Sequence, residues 1–438
     1  MKKTTALGLM GLILVLFLHT SGHAASPKPS PQRVVLENGL TLILEQDDSS
    51  AITFLQILIR GGKRLESAEM EGLTYLTTRL TLEIPDQTSL QQIMNQATSM
   101  RMDSRFDFSF INIGCLTENL EDTLKLITKI MFDPLFSGPR INGRKEQMAG
   151  YRQLEEDDAP RIAHNAAREL FFLKTPYAGS IYGTDASLKN IKGRDIKSFF
   201  QKAFTGGNMI IAGSSDLSPK ELESLLRRFF ERLPSGDALT LSEVKLTAPS
   251  EKNLFIAKDA EQSLVEIAFP LPPLSRENFC TTALLENYLG QGVASRLWPL
   301  RSREKLAYTV ASRATQLEAG GLLEAFLETE NDKKDRALSA LRENLESLYQ
   351  EGMTAEDLDM TKRHTRASFL RENEPKENRT FNYAAFEASG LGCGFVGDFP
   401  QGIESITLEE MNSAIRKIMD PEKAVTIVVG AETVSPSR

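Results

Sequence analysis

The chain contains two copies of one helix-then-strand pattern, and this repetition limits the folds that it can adopt. In the first copy, the amphipathic segment 191–204 leads into a short apolar run at 208–213 that ends in Gly. In the second copy, the amphipathic segment 406–419 leads into a similar run at 425–430. Identity between the copies is low, but the pattern is the same. A chain of 438 residues with this repeat is expected to form two homologous domains.

Each half also mixes strand patterns with helix patterns. The first half opens with two β-rich runs separated by Asn38-Gly39, which is a strong signal for a β-hairpin. The second half opens with an apolar strand pattern at 253–258. Amphipathic helical patterns follow in both halves, for example at 118–131 and 332–350. This mixture predicts an α+β fold in which each half is a mostly antiparallel sheet with helices packed on one face.

Turn residues without helical periodicity separate the two halves. The sequence around Pro234 and the stretch that follows it carry such residues, and we place a linker at 236–250. The linker divides the chain into a first domain at 25–235 and a second domain at 251–438. Residues 1–24 precede the first domain as a separate segment.

The first 24 residues have the composition of a secretory signal peptide. Lys2 and Lys3 precede an apolar run at 6–18, and Gly22 and Ala24 suit a cleavage site. An uncleaved anchor is the rival interpretation, but the apolar run is too short to span a bilayer. We expect export to the periplasm, cleavage near Ala24 and no membrane anchor afterwards. The net charge of −8 argues against nucleic acid or anionic lipid as a partner.

Histidine and cysteine are scarce, which limits metal and redox chemistry. Of the four histidines, only His164 and His364 lie outside the predicted signal peptide, and neither has a second His or a Cys at ligand spacing. Their ordinary interpretation is as core or surface imidazoles. Cys115, Cys280 and Cys393 are widely separated and odd in number, so the sequence allows at most one disulfide and favours buried free thiols.

A series of short motifs resembles the M16 family, which includes pitrilysin, insulinase and the mitochondrial processing peptidase. The matching motifs of the first half are N-G-L at 38–40, G-G at 61–62 with Glu66, G-L at 72–73, P-Y at 176–177 and G-T at 183–184. Those of the second half are L-G-Q-G at 289–292, S-R-L at 295–297, L-R at 300–301 and L-A-Y at 306–308, with one residue fewer between 297 and 300 than in the family pattern. The match spans nearly the whole chain after the signal peptide. It implies a half-size bacterial member with two M16-type domains.

The positions that hold zinc in the family carry other residues here. The family's inverted motif H-x-x-E-H places two ligands and a general base on one helical face, and the resemblance maps it onto Tyr75, Thr78 and Arg79. A phenol, a hydroxyl and a guanidinium cannot replace imidazole, carboxylate and imidazole, and the Arg brings a fixed positive charge. The third ligand maps onto Gln153 or Arg152, depending on the register, and neither binds zinc. We therefore expect no metal or cofactor in this chain.

Two acidic residues follow that third position along the same predicted helix. Glu155 and Glu156 lie off the ligand position in either register, and we interpret them as a solvated helix end. Whether either approaches the site is left open by the sequence. Even one carboxylate there would lack the general base of the family's mechanism.

The family's substrate-binding pair is retained in the second half. Arg301 and Tyr308 match an Arg and a Tyr that reach the substrate backbone and the developing tetrahedral centre in the family, where such donors can stabilise an oxyanion. As isolated residues they would be interpreted as a structural ion pair and a core aromatic. The segment at about 98–108 resembles the strand that pairs with extended substrate by edge addition.

The resemblance implies a division of labour between two chains. Some members of the family work as pairs of half-size chains, of which one carries zinc and the other contributes the Arg and the Tyr. The chain is therefore expected to be the non-catalytic subunit of a periplasmic zinc endopeptidase, with an H-x-x-E-H partner that holds the zinc and unstructured peptide as substrate. The alternative is a stand-alone peptide-binding or scaffold protein of the same fold without proteolysis.

Overall fold

The computed structural model describes residues 30–432, so the predicted signal peptide lies outside the described residues. The strands of this range are β1 (Gln32–Val35), β2 (Thr41–Gln46), β3 (Ile52–Arg60), β4 (Ser99–Ser104), β5 (Phe108–Leu116), β6 (Met209–Ser215), β7 (Asn253–Ala257), β8 (Gln262–Leu271), β9 (Thr309–Leu317), β10 (Gly320–Glu330) and β11 (Val425–Gly430).

The helices of the same range fill the intervals between the strands. They are α1 (Leu73–Thr81), α2 (Gln87–Asn95), α3 (Leu120–Phe132), α4 (Gly138–Asp157), α5 (Ala159–Phe171), α6 (Asp185–Asn190), α7 (Gly193–Ala203), α8 (Pro219–Phe230), α9 (Arg276–Gly290), α10 (Trp298–Ser302), α11 (Lys334–Glu351), α12 (Ala355–Glu372), α13 (Lys376–Ala388), α14 (Phe395–Ser405) and α15 (Leu408–Ile418). Among these described helices, none combines the length and the apolar composition that a membrane span requires.

Each half contributes one sheet, and the two sheets have corresponding strand orders. The first sheet runs β1-β2-β6-β3-β5-β4, with β2 and β6 as its parallel pair. The second runs β7-β11-β8-β10-β9, with β7 and β11 as its parallel pair. The repeated helix-then-strand pattern forms α7 with β6 in one half and α15 with β11 in the other. These sheets confirm the predicted α+β fold of two homologous, mostly antiparallel halves.

The Asn38-Gly39 turn closes the β1–β2 hairpin as the sequence predicts. Gly39 has a φ of 90°, a conformation that residues with a side chain rarely adopt. The Asn38 side chain accepts a hydrogen bond from the Leu40 N–H at 3.1 Å and donates to the Phe230 carbonyl at 3.0 Å. The second of these hydrogen bonds attaches the turn to the C-terminal end of α8.

The first half also packs one of its helices on the sheet of the second half. Helix α5 lies on β8 and β11, where Ala163 and Ala167 pack against Leu264, Ala268 and Ile427. Alanines allow this close approach of helix and sheet. The second sheet is therefore covered by helices of its own half on one face and by α5 on the other.

The second half returns this arrangement with α13, which lies on β3 and β6 of the first sheet. Its Ala384 belongs to one core with Ile43, Leu58 and Ile210 of the first sheet. The sequence predicts helices on only one face of each sheet. The opposite face is covered by a helix from the other half, α5 on the second sheet and α13 on the first, and we call these two the exchanged helices. Residues 236–250, the predicted linker, form neither helix nor strand, and the domain limits drawn there stay a prediction.

A buried polar cluster fixes α13 to the first sheet. Arg379 donates from Nε to the Glu45 carboxylate, 2.7 Å from Oε1 and 2.9 Å from Oε2, and also pairs with Asp47. The Tyr383 hydroxyl donates to Glu45 Oε1 at 3.0 Å. All four side chains are buried. The two halves are thus joined by charge-assisted hydrogen bonds as well as by apolar contact.

Candidate functional site

Helix α1, which carries the positions of the lost zinc motif, begins at a buried carboxylate. Glu66 accepts hydrogen bonds from the Gly72 N–H at 3.0 Å and from the Thr74 N–H at 2.7 Å. A carboxylate at a helix N-terminus satisfies the free N–H groups there and favours the helix dipole. Gly72 precedes the helix with a φ of 90°. The G-L and Glu66 elements of the sequence motif therefore set the start and direction of α1.

Aromatic rings occupy the space beside the first ligand position. The Tyr75 ring is buried and meets the Tyr182 ring edge-on with centroids 4.9 Å apart, and the Tyr151 ring at 6.4 Å. Burial raises the pKa of Tyr75 well above its ordinary value and that of Tyr182 to about 12. Both phenols are therefore protonated near neutral pH, and neither offers a phenolate to a metal ion.

The remaining two motif positions also point away from metal chemistry. Thr78 is buried. Arg79 is half-buried, and its Nη1 donates to the backbone carbonyl of Met102 on β4 at 2.8 Å. The guanidinium thus leaves α1 toward the edge of the first sheet and satisfies a carbonyl there.

The residue of α4 that packs in the aromatic cluster is Tyr151, which precedes both positions, Arg152 and Gln153, that the sequence assigns to the third ligand. Arg152 instead donates from Nη1 to the Gly183 carbonyl at 3.2 Å and pairs with Asp185 at the start of α6. Gln153 is exposed. Both side chains turn away because successive helical residues are rotated by about 100°.

The structure shows an inward stripe on α4 that includes Tyr151. Met148 is buried, Tyr151 packs in the aromatic cluster, and Glu155 is half-buried, so these three positions share one helical face at spacings of three and four. Such a stripe marks the inward face of a helix. The apolar pattern of the sequence does not single out this face, because the apolar Leu154 is 60% exposed. Tyr182 carries no periodic signal, because it lies in a loop.

The acidic residues near the site do not assemble a metal centre. Burial raises the pKa of Glu155, with Arg168 opposing the shift, whereas Glu156 is exposed. His164 contacts Glu324 of the second sheet at 2.7 Å, and His364 is exposed. Within residues 30–432, no group of three or more His, Cys, Asp or Glu side chains is placed to hold a metal ion. The three cysteines of this range, Cys115, Cys280 and Cys393, are buried and free.

The pair expected to bind substrate lies on the second half, beside β9. Arg301 is exposed on α10, and its guanidinium carbon lies 4.9 Å from the centre of the Trp298 ring. Tyr308 is 54% exposed and its hydroxyl donates to Glu330 at 3.0 Å. In the described part of the chain Arg301 has no ion pair and no side-chain hydrogen bond. Tyr308 is therefore too exposed to be a core aromatic, and the contact of Arg301 within the described residues is the Trp298 ring rather than an ion pair.

Buried leucines hold this pair in place. Leu300 and Leu306, which precede the Arg and the Tyr in the L-R and L-A-Y motifs, are 1% and 2% exposed. The Leu306 N–H donates to the Leu300 carbonyl at 2.9 Å and closes the loop between them. The motif therefore anchors two apolar side chains inward and presents Arg301 and Tyr308 outward. Across the described residues, no hydrogen bond or ion pair links this pair to the α1 cluster.

Comparison with known proteins places this arrangement among the M16 proteins. Residues 190–364 match the model of the "Peptidase M16 inactive domain". A non-peptidase homologue, YmxG, of Helicobacter pylori is 24% identical over 418 residues, which are 93% of this chain and 94% of the relative. An uncharacterized zinc protease, also YmxG, of Bacillus subtilis is 19% identical over 91% of this chain and 98% of the relative.

Solved structures show the same fold. The peptidase M16 inactive domain from Pseudomonas fluorescens has a TM-score of 0.85 at 21% identity and covers 92% of this chain and 98% of that chain. A protease from Helicobacter pylori has a TM-score of 0.82 at 17% identity and covers 92% of this chain and 99% of that chain. Together these comparisons show that the chain has the fold of the M16 inactive-domain structures over nearly its whole length. In sequence it is similar to half-size M16-like proteins, including one named a non-peptidase homologue.

Proposed function

We propose that the chain is the non-catalytic subunit of a periplasmic M16-type zinc endopeptidase. It contributes peptide binding, with Arg301 and Tyr308, to a partner that carries zinc on an H-x-x-E-H helix. The observation that carries the proposal is a contrast between two sites in one chain. The former ligand positions hold side chains that exclude a metal, whereas the Arg and the Tyr are exposed and anchored from behind.

The α1 site supports the first part of the proposal, the absence of catalysis by this chain alone. A protein zinc site of the catalytic kind needs three ligands of imidazole, thiolate or carboxylate type. Tyr75 is buried as a neutral phenol, and Arg79 brings a positive charge to the β4 edge. Thr78, at the position of the general base, cannot take a proton from water near neutral pH.

The geometry of Arg301 and Tyr308 supports the second part, action on a substrate outside this chain. Arg301 and Tyr308 are both exposed, and two buried leucines anchor the segment that carries them. The Tyr308 hydroxyl donates to the Glu330 carboxylate, whereas the Arg301 guanidinium has no hydrogen-bond acceptor among the described residues. Donors of this kind bind peptide carbonyls and stabilise the oxyanion of a tetrahedral intermediate. Their reacting partner must come from another molecule, because the α1 site of this chain holds no zinc ligands.

The relatives of the chain also include both kinds of protein in one organism. Helicobacter pylori contributes the non-peptidase homologue YmxG and the zinc protease PqqE, which is 21% identical to this chain over 393 residues. A non-peptidase and a zinc protease of related sequence are the two components that a pair of half-size chains requires. This coexistence supports a partner for the present chain.

The decisive experiment compares the chain alone with the chain plus an H-x-x-E-H protein of the same organism. Zinc content and cleavage of an internally quenched, unstructured peptide are measured with and without a chelator. We expect neither zinc nor cleavage from the lone chain, and one zinc with chelator-sensitive cleavage from the pair. Cell fractionation of the native producer tests the periplasmic location.

Two results would overturn the proposal. Stoichiometric zinc with chelator-sensitive cleavage by the lone chain would mean that it carries a complete protease centre. Peptide binding by the lone chain, with no effect on the activity of any H-x-x-E-H protein, would favour the stand-alone peptide-binding protein instead.

A further inference from the structure

Strand β4 is the outer strand of the first sheet, and its free edge carries peptide groups. The strand pairs with β5 in the register Met102↔Ile111 and has no strand on its other side within the described residues. At the turn, the Arg105 N–H donates to the Phe108 carbonyl at 2.7 Å, so this pair faces each other across the two strands. Along an antiparallel pair, the residues of one strand direct their N–H and C=O groups alternately toward the partner strand and away from it. Met100 and Met102 therefore direct their N–H and C=O groups away from β5. Such an edge can accept an extended peptide as an additional strand.

Arg79 already donates a hydrogen bond to one of these edge groups. Its Nη1 lies 2.8 Å from the Met102 carbonyl oxygen. The side chain comes from α1, which is held by the Glu66 carboxylate at its start and by the buried Leu76 and Leu80 along its length. A charge-assisted hydrogen bond from a guanidinium is stronger than one from a peptide N–H. An incoming strand must displace this donor before it can pair with Met102.

We propose that Arg79 closes the β4 edge to strand addition, so that the first half of this chain rejects extended peptide. The second-ligand position of the lost zinc motif thereby has a new role, the protection of an edge that would otherwise bind substrate where no catalyst exists. The inference rests on the proposed function only in its consequence, which is that peptide meets this chain at Arg301 and Tyr308 of the second half and not at the β4 edge.

The test measures peptide binding to the isolated full chain, without a partner and without turnover. The probe is a fluorescein-labelled, ten-residue peptide of alternating Thr and Val, and its twin has alternate backbone amides N-methylated so that it cannot form a strand pair. Arg79→Ala should bind the probe roughly threefold to tenfold more tightly than the unmodified chain, the gain expected when one peptide hydrogen bond becomes available. The N-methylated twin should gain nothing.

The matched control is Arg101→Ala, which removes an exposed arginine from β4 itself. The Arg101 guanidinium lies 5.6 Å from the centre of the Phe110 ring, and its backbone groups face β5. This variant should bind the probe like the unmodified chain. Hydrogen exchange adds a local readout, because saturating peptide should protect the Met100 and Met102 amides in Arg79→Ala and leave them unprotected in the unmodified chain.

Unchanged or weaker binding by Arg79→Ala would overturn the inference. Weaker binding would show that the guanidinium holds the peptide rather than excluding it. If Arg79→Ala fails to fold, Arg79→Met gives the same comparison, because it keeps most of the side-chain length and removes the hydrogen-bond donor. Activity of a complex is not measured at any step, so the result is independent of whether a catalytic partner exists.

Discussion

Replacement of Arg379 by Met should weaken the attachment of helix α13 to the first sheet and lower the free energy of unfolding. In the native chain Arg379 donates to both Glu45 oxygens, at 2.7 and 2.9 Å, and the side chains are 5% and 2% exposed. Without the guanidinium, Glu45 would keep only neutral donors, the Tyr383 hydroxyl at 3.0 Å and the Ser214 hydroxyl at 2.6 Å. A buried carboxylate that loses its counter-charge destabilises a fold by about 3–5 kcal/mol.

The matched control is Arg33→Met, which breaks another ion pair between the first half and α13. Arg33 lies 2.7 Å from Glu387, but its side chain is 49% exposed. Water screens such a pair, so its loss should cost less than about 1 kcal/mol. The two variants remove the same charge from the same interface and differ in burial.

Urea unfolding measures both free energies. Circular dichroism reports all of the helices, and the fluorescence of Trp298, the only tryptophan of the chain, reports the second half. The midpoint should fall strongly for Arg379→Met and barely for Arg33→Met, with the dependence on urea unchanged. Loss of stability in Arg379→Met that lies within about 1 kcal/mol of the control would refute the argument that this buried cluster holds the halves together.

Three further predictions concern the two sites and the pH response. In an active complex of this chain with a zinc-bearing partner, Arg301→Ala should lower turnover about 100-fold and Tyr308→Phe should lower it less. The melting temperature of this chain should not change. A variant that loses assembly with the partner instead of turnover would contradict the proposed role. A variant with His, Glu and His at positions 75, 78 and 79 should not bind one equivalent of zinc, as measured by elemental analysis. The same variant with Tyr151→Glu added should bind one equivalent, because only then does a third ligand face α1. Burial raises the pKa of Glu286 from 4.5 to about 7, so its contribution to stability is present below about pH 4.5 and lost as the pH rises through 7. Glu286→Gln should therefore reduce the loss of unfolding free energy between pH 4.5 and 8 by about 2 kcal/mol, and equal pH profiles would exclude this assignment.

Local sequence patterns predict the helices and strands of this fold better than they predict which elements pack against one another. The Asn38-Gly39 turn forms as expected, and the helical pattern at 332–350 corresponds to α11 (Lys334–Glu351). The exchange of α5 and α13 could not be predicted, because an apolar helical face shows that a helix is buried but not which sheet buries it. Ala163 and Ala167 of α5 pack on a strand that follows them by about 100 residues, and no local signal specifies that pairing.

The site divides in the same way. The motif spacing predicts that Tyr75, Thr78 and Arg79 share one helical face, since the i, i+3 and i+4 positions of a helix do so whatever residues occupy them. The two registers for the third position differ by one residue along α4 (Gly138–Asp157), and a shift of one residue rotates a side chain by about 100°. The direction of Arg79 depends on the nearby Met102 carbonyl and is therefore a tertiary property.

The side chains at the positions that the resemblance assigns to zinc each have a contact of their own within the chain. Unpaired polar groups buried there would cost stability. Here the Tyr75 ring packs against two other rings, Arg79 satisfies a carbonyl, and Arg152 pairs with Asp185. Each replacement therefore has a structural reason that needs no ligand. Arg301 has no such reason, because removing its exposed guanidinium would cost the fold little. An exposed guanidinium of this kind is what the proposed contact with a peptide outside the chain requires.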